Sequence, residues 1–169
     1  PVPGGFAEPR PLAPAEIADL VEDFAAAARR AIRAGYRAIE VHGAHGYLIH
    51  SFLSPLANRR NDAYGGDLAG RMRLALEATE AVRGAIPDEV PLFFRVSSVD
   101  GAEDGWSLED TVAVAQALGG EVRKASKGWG VGLHRHAFRE EPAWFDGGDR
   151  SFRVLVSHQD QVERPAPGT

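Results

Sequence analysis

Residues 35–66 read GYRAIEVHGAHGYLIHSFLSPLANRRNDAYGG, and this stretch decides the fold. Its first part, residues 38–42, is an apolar and β-branched run that enters a Gly-rich turn, which predicts a strand. The two-residue period of a strand places Glu40 and His42 on one face and the neighbouring aliphatic residues on the other. A long, ordered loop is expected between this strand and the next helix.

Helices are predicted on both sides of this strand. Residues 14–34 form an amphipathic helix with Pro14 in its first turn and Gly35 as its stop. A second helix begins after Asp67, which can cap it. The apolar stripe of the first helix is Ile17, Leu20, Val21, Phe24, Ala28 and Ile32, and that of the second is Leu68, Met72, Ala75, Leu76, Val82 and Ile86.

The pattern then repeats. Residues 91–97 predict a second buried strand, and Ser107 with Asp110 predicts the start of a helix that ends near Leu118. The order is helix, strand, helix, strand, helix. Such alternation is typical of βα units around a parallel sheet, either a barrel or a doubly wound sheet.

Composition narrows the class of protein. The 169 residues fit one soluble domain, and a net charge of −5 argues against a nucleic-acid partner. The chain has no cysteine, so disulfides and cysteine nucleophiles are excluded. No apolar run approaches the roughly 20 residues of a membrane helix, and the first residues do not have the pattern of a signal peptide. A cytoplasmic protein without a membrane partner is therefore expected.

The chemistry-bearing motif is His42-Gly43-Ala44-His45-Gly46-Tyr47, at the carboxyl end of the first strand. In a βα barrel the active site lies at that end. Two imidazoles this close can both donate hydrogen bonds to one carbonyl oxygen, and the Tyr47 hydroxyl can deliver a proton. Paired histidines beside glycines also serve as caps, structural groups or metal ligands, and the spacing alone leaves these alternatives open.

Arg95 is the second candidate, because a guanidinium in an apolar strand needs a partner. It either points into the pocket towards an anionic ligand or a reduced cofactor, or it pairs with Glu40 on the neighbouring strand. Both alternatives stay open at this point.

Residues 35–66, together with Arg71-Met72-Arg73 and the strand Phe94-Arg95-Val96-Ser97, resemble the Old Yellow Enzyme (NADH:flavin oxidoreductase) family. The resemblance covers residues 8 to 118 and implies two strands and about three helices of a (β/α)8 TIM barrel. Ala69-Gly70 departs from the Glu-Asn usual before Arg71. The His-Gly-Ala-His form is similar to the bacterial thermophilic-like branch of the family.

The resemblance implies FMN and NAD(P)H as cofactors and reduction of an activated alkene. By the same resemblance, His42 and His45 hold the carbonyl oxygen of an α,β-unsaturated substrate, and Tyr47 matches the proton donor of the classical branch. Arg95 matches the arginine at the flavin pyrimidine edge, with His42 beside it. The resemblance names no metal ligand and leaves a homo-oligomer open. The family's amino-terminal flavin-binding segments and its later strands, which form the phosphate site, are not expected within these residues.

The remaining residues have a different character. Residues 131–138 and 152–158 predict strands without an intervening helix, and residues 146–150 predict a turn. Residues 116–168 resemble class I glutamine amidotransferases just after their nucleophile, but without cysteine glutaminase activity is excluded. Three histidines, His134, His136 and His158, are expected to be exposed strand and turn residues.

These features predict an α/β chain with two parts: residues 1–118, a partial FMN-oxidoreductase barrel segment, and residues 119–169, a β-rich tail. The join is expected at residues 114–118. The leading function is FMN-dependent NAD(P)H oxidoreductase, in a fragment or chimera. The alternative is a catalytically inactive fragment or interaction piece that cannot bind flavin.

Overall fold

The computed structural model describes residues 9–119 in full and the backbone of four further strands within residues 121–164. The helices and strands of the first part are α1 (Pro14–Arg33), β1 (Ile39–Gly43), α2 (Leu48–Leu53), α3 (Leu68–Ala85), β2 (Leu92–Val96) and α4 (Leu108–Ala117). The later strands are β3 (Glu121–Lys124), β4 (Gly130–Ala137), β5 (Ser151–His158) and β6 (Asp160–Arg164).

Strands β1 and β2 pair in parallel, with Val41 opposite Phe94 and His42 opposite Arg95. Helix α3 connects them, so the three elements form the βαβ unit that the sequence predicts. The α/β class is confirmed. Among the later strands, β3 pairs with β6 and β4 with β5, both antiparallel. The predicted turn at residues 146–150 and the side chains of the three later histidines lie outside the described residues.

One face of the β1–β2 sheet packs on the helices and forms the core. Val41 and Leu92 are 2% exposed, and Leu74 of α3, Trp106 and Val114 of α4 are 0–1% exposed. Helix α1 adds Ile17 and Ala28, as its predicted stripe requires. Because side chains alternate along a strand, the opposite face carries Glu40, His42, Phe93 and Arg95.

Helix ends follow local chemistry. The Asp67 side chain accepts a hydrogen bond from the Gly70 N–H at 2.8 Å, and Ser107 and Asp110 form a reciprocal capping box. At α1, Glu16 reaches back to the Ala13 N–H at 2.7 Å and also pairs with Arg10. The hydrogen bond from Arg10, and next to it the one from the Ala13 N–H, lower the pKa of Glu16 to about 2.

Two predictions of local structure were wrong in detail. The segment after β1 was expected to be loop, but it contains the short helix α2. In α3 the buried row is Gly70, Leu74, Ala78 and Val82 with Ala75, whereas Leu76 is only partly buried. The buried row begins where the preceding loop touches the helix: a Cβ at Gly70 would lie 2.1 Å from the Gly65 carbonyl oxygen.

Side chains of α3 and of the loop between α2 and α3 hold that loop in place. Asn58 Nδ2 donates to the carbonyls of Phe52 (2.6 Å) and Tyr64 (2.8 Å), and Arg71 Nε donates to Leu53 O at 2.9 Å. Arg73 Nε donates to Ala63 O at 2.8 Å. The loop carbonyls are therefore satisfied by side chains, which explains how a loop of this length is ordered.

Gly70→Ala should destabilise the chain, although alanine is the better helix former by about 1 kcal/mol. The new Cβ would meet the Gly65 carbonyl, and moving backbone costs about 1–3 kcal/mol. Gly84→Ala in the same helix is the matched control, because nothing lies within 4 Å of a Cβ there. Urea unfolding should show a loss for the first variant and a gain of up to about 1 kcal/mol for the second. Equal gains in both would contradict the close approach.

Candidate functional site

The site is built where β1 ends. His42 is the last residue but one of β1, and Gly43, the last residue, lies in close contact with β2. A Cβ on Gly43 would lie 2.5 Å from Phe94 Cζ and 3.0 Å from the Arg95 carbonyl oxygen. Glycine at this position lets the two strands reach the loop together, so that groups from both strands border it.

The backbone then turns through two left-handed residues. His45 has φ of 61° and Gly46 has φ of 76°. A left-handed conformation is easy for glycine but costs a histidine about 1–3 kcal/mol. Three hydrogen bonds hold this turn. The Tyr47 N–H donates to the Ala44 carbonyl at 3.3 Å, the His45 N–H donates to Ser97 Oγ at 3.0 Å, and the Gly46 N–H donates to His50 Nδ1 at 2.7 Å.

The turn brings the predicted residues together around His42. The centroids of the His42 and His45 rings are 5.1 Å apart, and those of His42 and Tyr47 are 5.7 Å apart. Tyr47 is 66% exposed, His45 is exposed and His42 is partly buried. Three groups that can donate hydrogen bonds thus share one open surface at the carboxyl end of the sheet.

Arg95 borders the same surface and pairs with Glu40. Its Nε and Nη2 donate to the two carboxylate oxygens at 2.8 and 2.9 Å, a bidentate ion pair. The hydrogen bond from Arg95 holds the pKa of the Glu40 carboxyl below its ordinary value. Both side chains are about half exposed, so solvent screens the pair and it contributes little to folding. Of the two alternatives for Arg95, the Glu40 pair is the one observed, on the face that also carries His42.

Behind this surface lies a buried polar cluster centred on Asp100, in the loop after β2. One carboxylate oxygen lies 2.7 Å from His50 Nε2, and the other accepts from Ser54 Oγ at 2.5 Å and from the Trp106 N–H at 2.9 Å. The Asp100 N–H in turn donates to the Trp106 carbonyl at 2.9 Å. The cluster therefore joins the loop after β1, which holds the histidine pair, to the loop after β2.

The charge of Asp100 is stabilised by these donors. Burial raises the pKa of the carboxyl, but the hydrogen bonds from Ser54, the Trp106 N–H and His50 outweigh it, so the pKa lies below its ordinary value. An ionised carboxylate with three donors is compatible with a side chain only 10% exposed.

His50 and Asp100 were missed by the sequence analysis, which also gave Ser97 no specific contact. A signal for the first existed: His50 lies in the apolar run 48–53, and a polar ring buried among apolar residues needs partners. Asp100 and Ser97 follow a strand at its carboxyl end, where the loops of a βα fold converge. Ser97 bonds to His45 and Asp100 to His50, and these pairs depend on the strand register, which cannot be read from the sequence.

A cleft of about 650 Å³ lies elsewhere, between residues 9–12 and the segments 48–52 and 57–62. None of His42, His45, Tyr47 or Arg95 lines it. Of the three arginines that line it, Arg10 is paired with Glu16 and Arg60 with Asp62. The cleft is therefore separate from the histidine surface.

Residues 6–150 match the profile of the NADH:flavin oxidoreductase / NADH oxidase family. This chain belongs to that family. An NADH:flavin oxidoreductase from Gibberella zeae is 44% identical over 128 residues, which cover 70% of this chain and 30% of that protein. An NADPH dehydrogenase from Listeria innocua is 41% identical over 163 residues, which cover 95% of this chain and 44% of that protein. The chain thus spans less than half the length of either relative.

Solved structures also resemble the fold of this chain. An old yellow enzyme homologue from Zymomonas mobilis superposes with a TM-score of 0.60 at 33% identity, over 67% of this chain and 32% of that one. The family match continues past residues 114–118, where a join was predicted, and the last turns of α4 occupy that position. The resemblance of residues 116–168 to glutamine amidotransferases is not shown by these matches and stays a prediction.

Within the described part of the chain, no helix is both long and apolar enough to cross a membrane.

Asp100→Asn should destabilise the chain at neutral pH and much less in acid. The pKa of Asp100 is lower in the folded protein than in the unfolded chain, so the folded state binds the proton more weakly. The stabilisation is complete above the unfolded pKa, near 3.8, and is lost as the pH falls through the lower folded value. At pH 7 the loss is expected to be about 1–3 kcal/mol.

Urea unfolding followed by circular dichroism at several pH values between 7 and 3 measures this difference. Asp88→Asn, at an exposed aspartate between α3 and β2, is the control and should track the wild type throughout. A deficit in Asp100→Asn that stays the same size down to pH 3 would contradict the depressed pKa.

Proposed function

We propose that this chain carries the substrate-side histidines and a flavin-contacting arginine of an FMN-dependent NAD(P)H oxidoreductase of the Old Yellow Enzyme type. Membership of the family supports the cofactors, and the names of its relatives support the class of reaction. The observation that carries the proposal is the clustering of His42, His45 and Tyr47 beside Arg95, at the carboxyl end of two paired parallel strands.

The donor set of this surface fits a flavin. His42 and Arg95 lie side by side on one sheet face. Nε and Nη2 of Arg95 donate to Glu40, so a flat ring system with acceptor atoms along one edge could receive hydrogen bonds from His42 and from Nη1 of Arg95. The planar guanidinium suits an edge that becomes anionic on reduction. FMN bound there would supply hydride transfer to the substrate. Arg95 would hold its pyrimidine edge, with His42 beside it.

The substrate proposed is a small molecule with a carbon–carbon double bond conjugated to a carbonyl group. His42 and His45 would donate hydrogen bonds to the carbonyl oxygen, since their rings are close enough to share one acceptor. Negative charge that develops on that oxygen would be stabilised by these fixed donors. The exposed Tyr47 hydroxyl is the group available to deliver a proton.

We also propose the two-part organisation, with residues 1–118 as the barrel segment and residues 119–169 as a β-rich segment. The antiparallel pairing of β3 with β6 and of β4 with β5 supports it, because the two strands described within residues 9–119 pair in parallel. The family match through residue 150 weighs against an unrelated origin for the second part.

FMN titration of the purified chain tests the proposed function. The chain should retain yellow colour through gel filtration and quench flavin fluorescence. Arg95→Ala should weaken binding about ten- to a hundredfold, since hydrogen bonds from a charged group are among the strongest. Arg33→Ala, in the last turn of α1, is the matched arginine control and should bind as the wild type does.

Two results would count against the proposal. Elution of all FMN separately from the chain would favour the inactive fragment or interaction piece. Equal binding by wild type and Arg95→Ala would remove Arg95 from the flavin site. A chain that retains FMN should next be assayed for NAD(P)H oxidation with an α,β-unsaturated ketone, where His45→Ala should reduce kcat/KM by about a hundredfold.

A further inference from the structure

The His50 ring lies between the histidine loop and the Asp100 cluster. Its Nδ1 lies 2.7 Å from the Gly46 N–H, and its Nε2 lies 2.7 Å from Asp100 Oδ1. The side chain is 9% exposed, so water does not compete for either nitrogen to any large extent. Each of its two polar atoms thus has one partner, and the two partners belong to different loops.

These two contacts decide where the ring proton lies. A backbone N–H can only donate, so Nδ1 must present its lone pair to Gly46. Asp100 is ionised and can only accept, so Nε2 must carry the hydrogen. The neutral Nε2–H tautomer is the one form of imidazole that satisfies both contacts. A second proton on Nδ1 would face the Gly46 N–H and break that bond.

Gly46 lies between His45 and Tyr47, so whatever holds its N–H acts on the predicted substrate groups. The His45 and Gly46 N–H groups are consecutive donors in a left-handed turn, and each has one acceptor, Ser97 Oγ and His50 Nδ1 respectively. The turn sets the 5.1 Å separation of the His42 and His45 rings. Losing an acceptor would let the costly conformation of His45 relax.

We propose that His50 is a positioning residue: oriented by Asp100, it accepts the Gly46 N–H and thereby fixes the geometry of the His42–His45 pair. Its value for catalysis rests on the proposed function, whereas the hydrogen bonding itself does not. Asp100 orients the ring because its own carboxylate is fixed by Ser54 and Trp106. This is the arrangement by which a carboxylate sets the tautomer and orientation of a histidine.

Two amide substitutions separate positioning from a purely structural role. In His50→Asn the side-chain oxygen can take the place of Nδ1 and keep the acceptor for Gly46, while the reach to Asp100 is lost. In His50→Gln the amide nitrogen can take the place of Nε2 and keep the donor to Asp100, while the Gly46 contact is lost. Glutamine would preserve a structural tie between α2 and the loop after β2, and asparagine would preserve the positioning of the loop after β1.

NMR of the full chain, labelled with ¹⁵N in histidine and glycine, gives readouts that need no flavin. The wild-type His50 ring should show the Nε2–H tautomer at neutral pH, and Asp100→Asn should abolish that preference. The Gly46 amide should exchange with solvent about five- to tenfold faster in His50→Gln than in the wild type, with rescue in His50→Asn. Cross-relaxation between the His42 and His45 rings should follow the same order. Ser51→Ala, whose hydroxyl bonds only to Leu48 O, is the control in the same helix.

A His50 ring that averages between tautomers in the wild type would overturn the proposal. So would Gly46 exchange that is unchanged in His50→Gln, or rescue by glutamine instead of asparagine. FMN titration of the same samples keeps this result apart from the proposed function. If His50 shows the expected tautomer and rescue while FMN is not retained, the positioning stands and the flavin function fails for this chain.

Discussion

The register between β1 and β2 is the constraint on which the rest of the structure depends. It sets His42 beside Arg95 and Val41 beside Phe94, and so decides which residues face the helices. Because side chains alternate along a strand, a slip of one residue would send Glu40 into the apolar core if β1 shifted, or Arg95 if β2 shifted. The burial of Val41 and Leu92 makes that slip costly. The histidine surface and the core are therefore fixed by the same few backbone hydrogen bonds.

Much of the first part could be predicted from its sequence because each long element has explicit end signals. Pro14 and Gly35 bracket α1, Asp67 caps α3, and Ser107 opens α4. Helix α2 escaped prediction because it has six residues and because Tyr47, the residue before it, makes no side-chain cap hydrogen bond. Its apolar run was too short for helical periodicity to stand out from a loop.

The buried row of α3 shows a different limit. Periodicity indicates that a helix has an apolar face, but the rotation of that face depends on what the helix touches. Here the approach of the Gly65 carbonyl to Gly70 turns the row through Leu74 and Ala78 inwards. Short side chains such as glycine and alanine can face a close contact without adding to an apolar stripe, so sequence reasoning passed over them.

The candidate site was likewise predicted only in part. His42, His45, Tyr47 and Arg95 could be named from residue type and position at strand ends, and the structure brings them to one surface. Their supports, His50, Asp100 and the specific contact of Ser97, arise from pairs distant in sequence. Tertiary geometry alone supplies such pairs, which is why the sequence predicted the candidate groups but not the contacts that hold them in place.

The Glu40–Arg95 pair has a consequence for the behaviour of the chain in water. Among residues 9–119 no helix covers the sheet face that carries it, and Phe93 on that face is 47% exposed. A carboxylate and a guanidinium on either side of that ring keep the face hydrated, and charged side chains discourage strands of other molecules from adding to a short sheet. Within residues 9–119 the two strands thus carry one hydrated face and one apolar face, and the apolar face could not be exposed to water without a risk of aggregation.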